Sequence, residues 1–346
     1  MHELLTIVIP TYNRPHSLDQ VLAHISEFDV RIIILDSTAT PHPTLSQSER
    51  VQYVHCPEQI LVAKLRQHVA ELVETPYMLM NADDIFPLQI AVKQSLDFLE
   101  KNPDYSSAQG VVVNYNQGRL YPHVYDSYLF PVDSDHAGVR LLQHHANYYP
   151  IFYALQRTDS WKTALRRQPE NLVNYTLLEH GTTLMHLIHG KSARFDTPFY
   201  VVNLLPPEDK CLRLRGNAKD HISNPRYFPE LEALKRAATQ YMGDKEGIPA
   251  NAARRYVEDA IALLFIWSYD RNAFYWLGDR PPKTMKDRLR REWESFLRKV
   301  LGRKRPAPTV ATASGAPKKT YMELLLERSG EDTLRELESI KAILKG

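Results

Sequence analysis

The first glycine of this 346-residue chain is Gly110. That absence excludes the glycine fingerprints by which dinucleotide-binding folds and P-loops bring their backbone against phosphates. A phosphate ligand of the N-terminal third must be neutralised by other means. Cysteine is nearly as scarce. Cys56 and Cys211 form neither a disulfide framework nor a zinc spacing, which leaves two reduced thiols. There is no excess charge of one sign, with 43 Lys and Arg against 41 Asp and Glu and a net charge of +2, so a nucleic-acid-binding role is not expected. The longest apolar run, "AIALLFIW" at 260–267, is far below the roughly 20 residues that span a bilayer. The opening "MHELLTIVIP" carries no basic leader. These features predict a soluble, cytoplasmic protein, at most peripheral on the inner face of the membrane.

What is present is a rhythm of apolar runs. "LLTIVIP" is continuous and β-branched, the pattern of a strand covered on both faces. Leu18, Val21, Leu22, Ile25 and Phe28 then fall at helical spacing behind Pro15. "VRIIILDST", "VQYVHC" and "YMLMNADD" read as three further strands. A second amphipathic helix is predicted over 57–74 and a third over 87–101. The alternation predicts an α/β fold, a mostly parallel sheet with helices on both faces. From about 104 to 225, segments rich in Tyr, His and Pro suggest long loops and short strands. Beyond 226 the pattern is helical, at 228–242, 250–276 and 283–301. Residues 303–320, rich in Pro, Ala and Thr, read as a flexible linker, and 321–345 as a last amphipathic helix. The expected organisation is a nucleotide-binding domain at 1–225, a helical region at 226–302, the linker, and a detached helix at 321–346.

In open α/β sheets ligands sit outside the carboxyl ends of the strands. Here those ends read "PTYNRP", "DST", "HCPE" and "NADD". Asp83 and Asp84 are hard oxygen donors held at the end of a buried strand, suited to Mg²⁺ or Mn²⁺. The competing role for the pair is to cap the helix that begins near Pro87.

"TIVIPTYNRPHSL", "IIILDST" and "YMLMNADDIFP", in that order and with about 70 residues from first to last, resemble the GT-A fold glycosyltransferases, particularly the family-2-like, bacterial polysaccharide-type group. The resemblance covers roughly the first 105 residues. It implies a Rossmann-like GT-A domain, followed here by a largely helical C-terminal region. It also implies a nucleotide-diphosphate-sugar donor and a glycan or lipid-linked acceptor in polysaccharide assembly. Thr11, Tyr12 and Arg14 would border the nucleotide, Asp36 would meet its base or ribose, and Lys64 and Arg66 would meet the diphosphate. The group's Asp-x-Asp motif stands here as Asn81-Ala82-Asp83, so its first carboxylate is an amide. Asp83, with Asp84 beside it, would bind the divalent cation.

Transfer with inversion needs a carboxylate base for the acceptor hydroxyl. The resemblance places it downstream at the start of a helix, where Glu179 stands, with Glu170 and Asp159 as rivals. His180 and His221 are further candidates for the metal shell. Aromatic residues at 147–161 fit a sugar-binding wall or a core strand. Segment 283–305 carries ten basic side chains against three acidic ones beside an apolar stripe, a pattern that fits peripheral membrane contact. The last helix is a candidate for homo-oligomer pairing. The alternative to an enzyme is a non-catalytic nucleotide-sugar-binding or scaffold protein with a degenerate metal motif.

Overall fold

The computed structural model describes residues 1, 3–45, 47–57, 59–122, 132–146, 148–204, 225–267 and 321–345. The predicted basic helix at 283–301, the linker at 303–320, the end of the helix predicted over 250–276, His221 and Cys211 lie outside the described residues.

The N-terminal apolar runs become strands whose successive side chains feed two separate apolar layers. In β1 (Leu5–Thr11), β2 (Arg31–Asp36) and β4 (Tyr77–Met80), one layer takes Leu5, Ile7, Ile9, Ile32, Ile34, Tyr77 and Leu79. The other takes Val8, Ile33, Leu35, Met78 and Met80. A strand that fills two layers has no polar face, which is why the runs are uninterrupted. β3 (Val51–His55) is the half-buried edge.

The nine-stranded sheet runs β3-β2-β1-β4-β8-β6-β9-β5, with β7 (Arg119–Pro122) paired to β6. β3, β2, β1 and β4 are mutually parallel, as predicted. The second half is mixed. β8 (Leu155–Arg157) pairs antiparallel with both β4 and β6, and β5 (Ile85–Pro87) antiparallel with β9. Only β6 (Tyr105–Asn116) and β9 (Lys191–Asn203) are parallel there. These two long strands correct the expectation of loops and short strands over 104–225. The described residues of that region also form helices α5 (Ala137–Ala146), α6 (Thr158–Arg167) and α7 (Tyr175–His189).

The helix predicted over 57–74 is interrupted. α2 (Leu61–Lys64) gives way to a π-helical turn, Leu65–Val69, before a short α3 (Ala70–Leu72). On one side of the sheet lie α1 (Pro15–Ile25) and α4 (Gln89–Lys101). On the other lie α2, α5, α6 and α7, joined by α8 (Phe228–Glu246) and α9 (Ala250–Trp267). Leu231, Leu234, Met242, Val257 and Ile261 share one core with Val8 and Met78, so the helical region is continuous with the sheet's packing. Gly138 of α5 allows this approach, because a Cβ there would stand 2.6 Å from the Tyr256 ring of α9.

The final helix is a pair, α10 (Tyr321–Arg328) and α11 (Glu331–Ile343), and it is not detached. Leu325, Leu337 and Ile340 are buried in the same layer as α1 and α4. Glu336 accepts the backbone N–H groups of Gln89 and Ile90, and thereby caps α4, whose own N-cap, Leu88, has no side-chain acceptor. The apolar stripe reserved for another protomer is covered by the chain's own sheet. Among the described residues no helix is long and apolar enough to cross a membrane.

Candidate active site

β1 has β2 on one side and β4 on the other, so the topological switch point lies between β1 and β4. The chain leaves β1 at Thr11 through a tight turn. Asn13 takes a left-handed backbone conformation (φ 56°), which asparagine tolerates better than most residues, and its N–H is held by the Thr38 hydroxyl at 2.9 Å. The turn sends the Arg14 side chain back to the mouth of the sheet, and Pro15 opens α1.

Arg14 Nη1 donates to Asp83 Oδ1 at 2.8 Å and to Asp84 Oδ2 at 3.3 Å. Thr11 Oγ1 donates to the other Asp83 oxygen at 2.7 Å. Asp83 is 4% exposed, and burial together with the adjacent Asp84 pushes its carboxyl well above the usual range despite Arg14 and Thr11. Asp83 thus faces the ends of β1 rather than capping α4. That cap comes from Glu336.

Lys64 comes from α2, just before the π turn. Its Nζ donates to the carbonyls of Leu35 (3.1 Å) and Thr11 (3.3 Å), at the ends of β2 and β1. Burial lowers its pKa against the pull of Cys56, Asp36 and Asp83. Asp36 ends β2, where it accepts the Thr38 N–H at 2.8 Å and the Tyr53 hydroxyl at 2.7 Å. Burial first, then Asp36 among other groups, raises Tyr53 to about 12, so it stays a donor. Tyr12, at 38% exposed, lies at the surface of the same loop.

Three of the residues expected in the site do other work. Arg66 points away from the strand ends, to the carbonyls of Pro169 and Glu170. Two residues beyond Lys64 on a helical segment, it lies on a different face. Asn81 Nδ2 donates to the carbonyls of Ala82 and Ile85, both at 3.0 Å, and ties the turn that presents the aspartates. Ala82 is packed into the apolar layer beneath.

The last pair of β4 with β8 is Leu79–Leu155, and the helical turn Ile151–Tyr153 stands just before β8, past that end of β4. The Tyr153 hydroxyl meets that of Tyr175, the first residue of α7, at 2.5 Å. α7 therefore begins beside that turn. Its start is fixed by the Asn174 side chain, which accepts the Leu177 N–H, and by Glu230 of α8, which accepts the N–H groups of Val173 (2.9 Å) and Asn174 (3.0 Å). Glu179 lies one turn into α7 rather than before it, on the same face as Tyr175 and half-buried. Of its rivals, Asp159 opens α6 next to Thr158, whose N–H binds Pro76 O before β4, so it lies at the opposite end of the sheet. Glu170 is exposed. His180 packs edge-on to Tyr148, within the aromatic layer under α7.

The segment 147–161 is mainly core. Tyr149 and Phe152 are fully buried, Tyr149 binds Gly110 O and Val112 N, and Arg157 binds the carbonyls of Leu99, Asn102 and Tyr105. Tyr153 is half-buried and reaches Tyr175. A groove of about 710 Å³ between α8 and α9, lined by Lys235, Arg236, Arg254 and Glu258 among others, is bordered by none of the predicted site residues. Tyr53, Tyr153 and Glu230 carry no sequence signal for their roles, because each acts through strand register or helix docking. Asn13, a turn residue before Pro15, was the one with a local cue.

The donor set at the mouth is the one a divalent cation would need. Asp83 and Asp84 could supply oxygen donors, and among the described residues no set of three or more His, Cys, Asp or Glu side chains converges on one point. Two carboxylates suit an ion that completes its shell with water and phosphate oxygens. Among the described residues, the cations that meet Asp36, Asp83 and Asp84 are Arg14 and Lys64.

The model of glycosyl transferase family 2 matches residues 6–171, a little under half of the chain. The match spans β1 to α6 and includes Thr11, Arg14, Asp36, Lys64, Asp83 and Asp84. Over this part the chain is similar to the glycosyl transferase family 2 proteins. No curated protein matches the sequence. Among solved structures it is similar to S. aureus TarS residues 1–349, with a TM-score of 0.46 and 13% identity over 79% of this chain and 93% of that one. It is also similar to a longer S. aureus TarS structure, with a TM-score of 0.43 and 14% identity over 79% of this chain and 55% of that one.

Proposed function

We propose that the chain transfers a sugar, with inversion, from a nucleotide-diphosphate donor to a hydroxyl of a glycan or lipid-linked acceptor, assisted by Mn²⁺ or Mg²⁺. The observation that carries this reading is the meeting of Asp83 and Asp84 with Thr11 and Arg14 at the β1–β4 switch point. When bound between the two aspartates, the ion would neutralise charge developing on the departing diphosphate. Thr11 holds the Asp83 carboxylate in place. Arg14 and Lys64 bring positive charge to the same crevice, where a low dielectric strengthens it. Tyr12 is exposed beside it and offers a ring to the nucleotide. Glu179 takes the proton from the acceptor hydroxyl as that oxygen bonds the anomeric carbon. The bond from that carbon to the diphosphate oxygen breaks, and its electron pair leaves with the diphosphate. The half-buried position of Glu179, one turn behind Tyr175, supports this role.

A second reading has its own support. Asn81, the residue in place of the motif's first carboxylate, carries no charge and spends its amide nitrogen on its own turn, as in a site that binds a donor without turning it over. A panel of nucleotide sugars, with and without Mn²⁺, separates the two. The enzyme reading expects one donor to raise Tm only with metal, and turnover that disappears in Asp83→Ala. Metal-dependent binding without hydrolysis or transfer across donors and acceptors favours the scaffold. Stabilisation by no member of the panel overturns both.

A further inference from the structure

Among the described residues, Arg14 and Lys64 are the two cations at the mouth, and they are held differently. Lys64 rests on two backbone carbonyls that belong to the sheet itself. Arg14 rests on the two carboxylates that the proposed function assigns to the metal. With Thr11 it already engages both oxygens of Asp83 and one of Asp84. A guanidinium bridging two carboxylates fills the electrostatic place of a divalent ion. The two cannot share it, because like charges a few ångströms apart in a buried site repel strongly.

The geometry also gives Arg14 somewhere to go. It follows Asn13, in a turn fixed to the end of β2 by Thr38, so its backbone stays at the rim of the crevice while its side chain has several rotatable bonds. A guanidinium matches the paired oxygens of a diphosphate as well as those of a carboxylate. Lys64, tied to Thr11 and Leu35, has no comparable exchange partner.

We propose that Arg14 is an exchangeable counter-ion: it closes the Asp83–Asp84 pair in the empty site, yields the pair to the divalent ion, and passes its guanidinium to the donor's diphosphate. This rests on the metal-assisted reading above and adds an order of events to it. The metal alone binds poorly, since it strands Arg14 beside a second cation. Metal and diphosphate together bind well, since each removes the cost the other would impose.

The test is calorimetric titration of the full-length chain with Mn²⁺ alone and with preformed Mn²⁺–pyrophosphate, on wild type and Arg14→Gln. In wild type, Mn²⁺–pyrophosphate is expected to bind at least about tenfold more tightly than Mn²⁺ alone. In Arg14→Gln the two change in opposite directions: Mn²⁺ alone gains about tenfold and Mn²⁺–pyrophosphate loses about tenfold. A merely structural ion pair would weaken both together, and that result, or no change in either, overturns the proposal. If wild type and variant bind neither probe while keeping their melting transitions, the metal reading itself falls and takes this one with it. A measurement on wild type covers the case in which the variant does not fold. The Arg14 Nε–H resonance, assigned by its loss in Arg14→Lys, should move on addition of Mg²⁺ with pyrophosphate and stay in place with pyrophosphate alone. An unmoved resonance in the presence of both refutes the exchange.

Discussion

At the mouth of the parallel strands Asp36, Asp83 and Asp84 are held among Arg14 and Lys64, whereas under α5 and α7 His144, His145 and His186 are buried almost without countercharge. Arg194 donates to His144 Nδ1 at 2.8 Å, and His145 bonds Leu141 O within its own helix. Neither ring nitrogen of His186 has a hydrogen-bond partner. Burial drives His145 down to about 4, His186 down to about 3, and His144 well below its usual value. The histidine layer is kept neutral and contributes to packing. The aspartate cluster is held by ion pairs and hydrogen bonds at the strand ends, where burial and the adjacent Asp84 push Asp83 up. A protein tolerates the second arrangement where a charged ligand completes it.

The largest effect should come from breaking the charged side. Asp83→Ala is expected to lower sugar transfer about 10³-fold, measured as initial rate with the donor identified by thermal shift. Mn²⁺ should no longer stabilise the variant. Retained turnover would mean that the aspartates, like the histidines, are structural. Glu179→Gln comes next, with kcat reduced about 10²-fold or more and the donor's KM little changed. An unaltered kcat would move the proton acceptor to another carboxylate.

The neutral side has a pH signature. The folded histidines titrate below the value of about 6.5 that they have in the unfolded chain. Above pH 6.5 their contribution to stability is complete. As the pH falls from there toward 4 and 3 the unfolded chain takes up protons first, and stability is lost. His186→Leu should therefore recover about 2 kcal/mol at pH 5 relative to its effect at pH 7.5, read from denaturant unfolding at the two values. A variant with the wild-type acid profile would show that His186 is not among the groups responsible. The smallest effect belongs to the carboxylate that joins the chain's two ends. Glu336→Ala removes the cap of α4 and should cost about 1 kcal/mol, with faster amide exchange at Gln89 and Ile90 next to the motif turn. Unchanged exchange there would mean that α4 does not depend on α11.

Much of the mouth was legible because it is built from local patterns. Continuous apolar runs located β1, β2 and β4, and the polar residues directly after them, Thr11, Asp36 and Asp83, necessarily stand at strand ends. Arg66 and Asn81 were placed at the mouth for the same reason, but Arg66 reaches the carbonyls of Pro169 and Glu170 and Asn81 spends its amide nitrogen on its own turn. Sequence position brought them near the mouth, but a side chain's direction depends on helix phase and on nearby carbonyls. β6 and β9 were hidden because their interiors break the apolar rule. Ser106, Ser107 and Gln109 of β6 are buried, and Ser107 is bonded to Ser192 across the strand pair. β9 carries Pro198 and several register shifts.

The sequence by itself determined the parallel core, the acidic turn after β4, and the amphipathic stripes of the C-terminal helices. Each follows from side-chain chemistry repeating at the period of its own strand or helix. Only the tertiary structure decided that Arg14 lies across Asp83 and Asp84, that α7 starts beside Tyr153, and that α11 docks on the chain's own sheet to cap α4. Those contacts join residues far apart in the chain, and they form only where separate elements bury their apolar faces against one another.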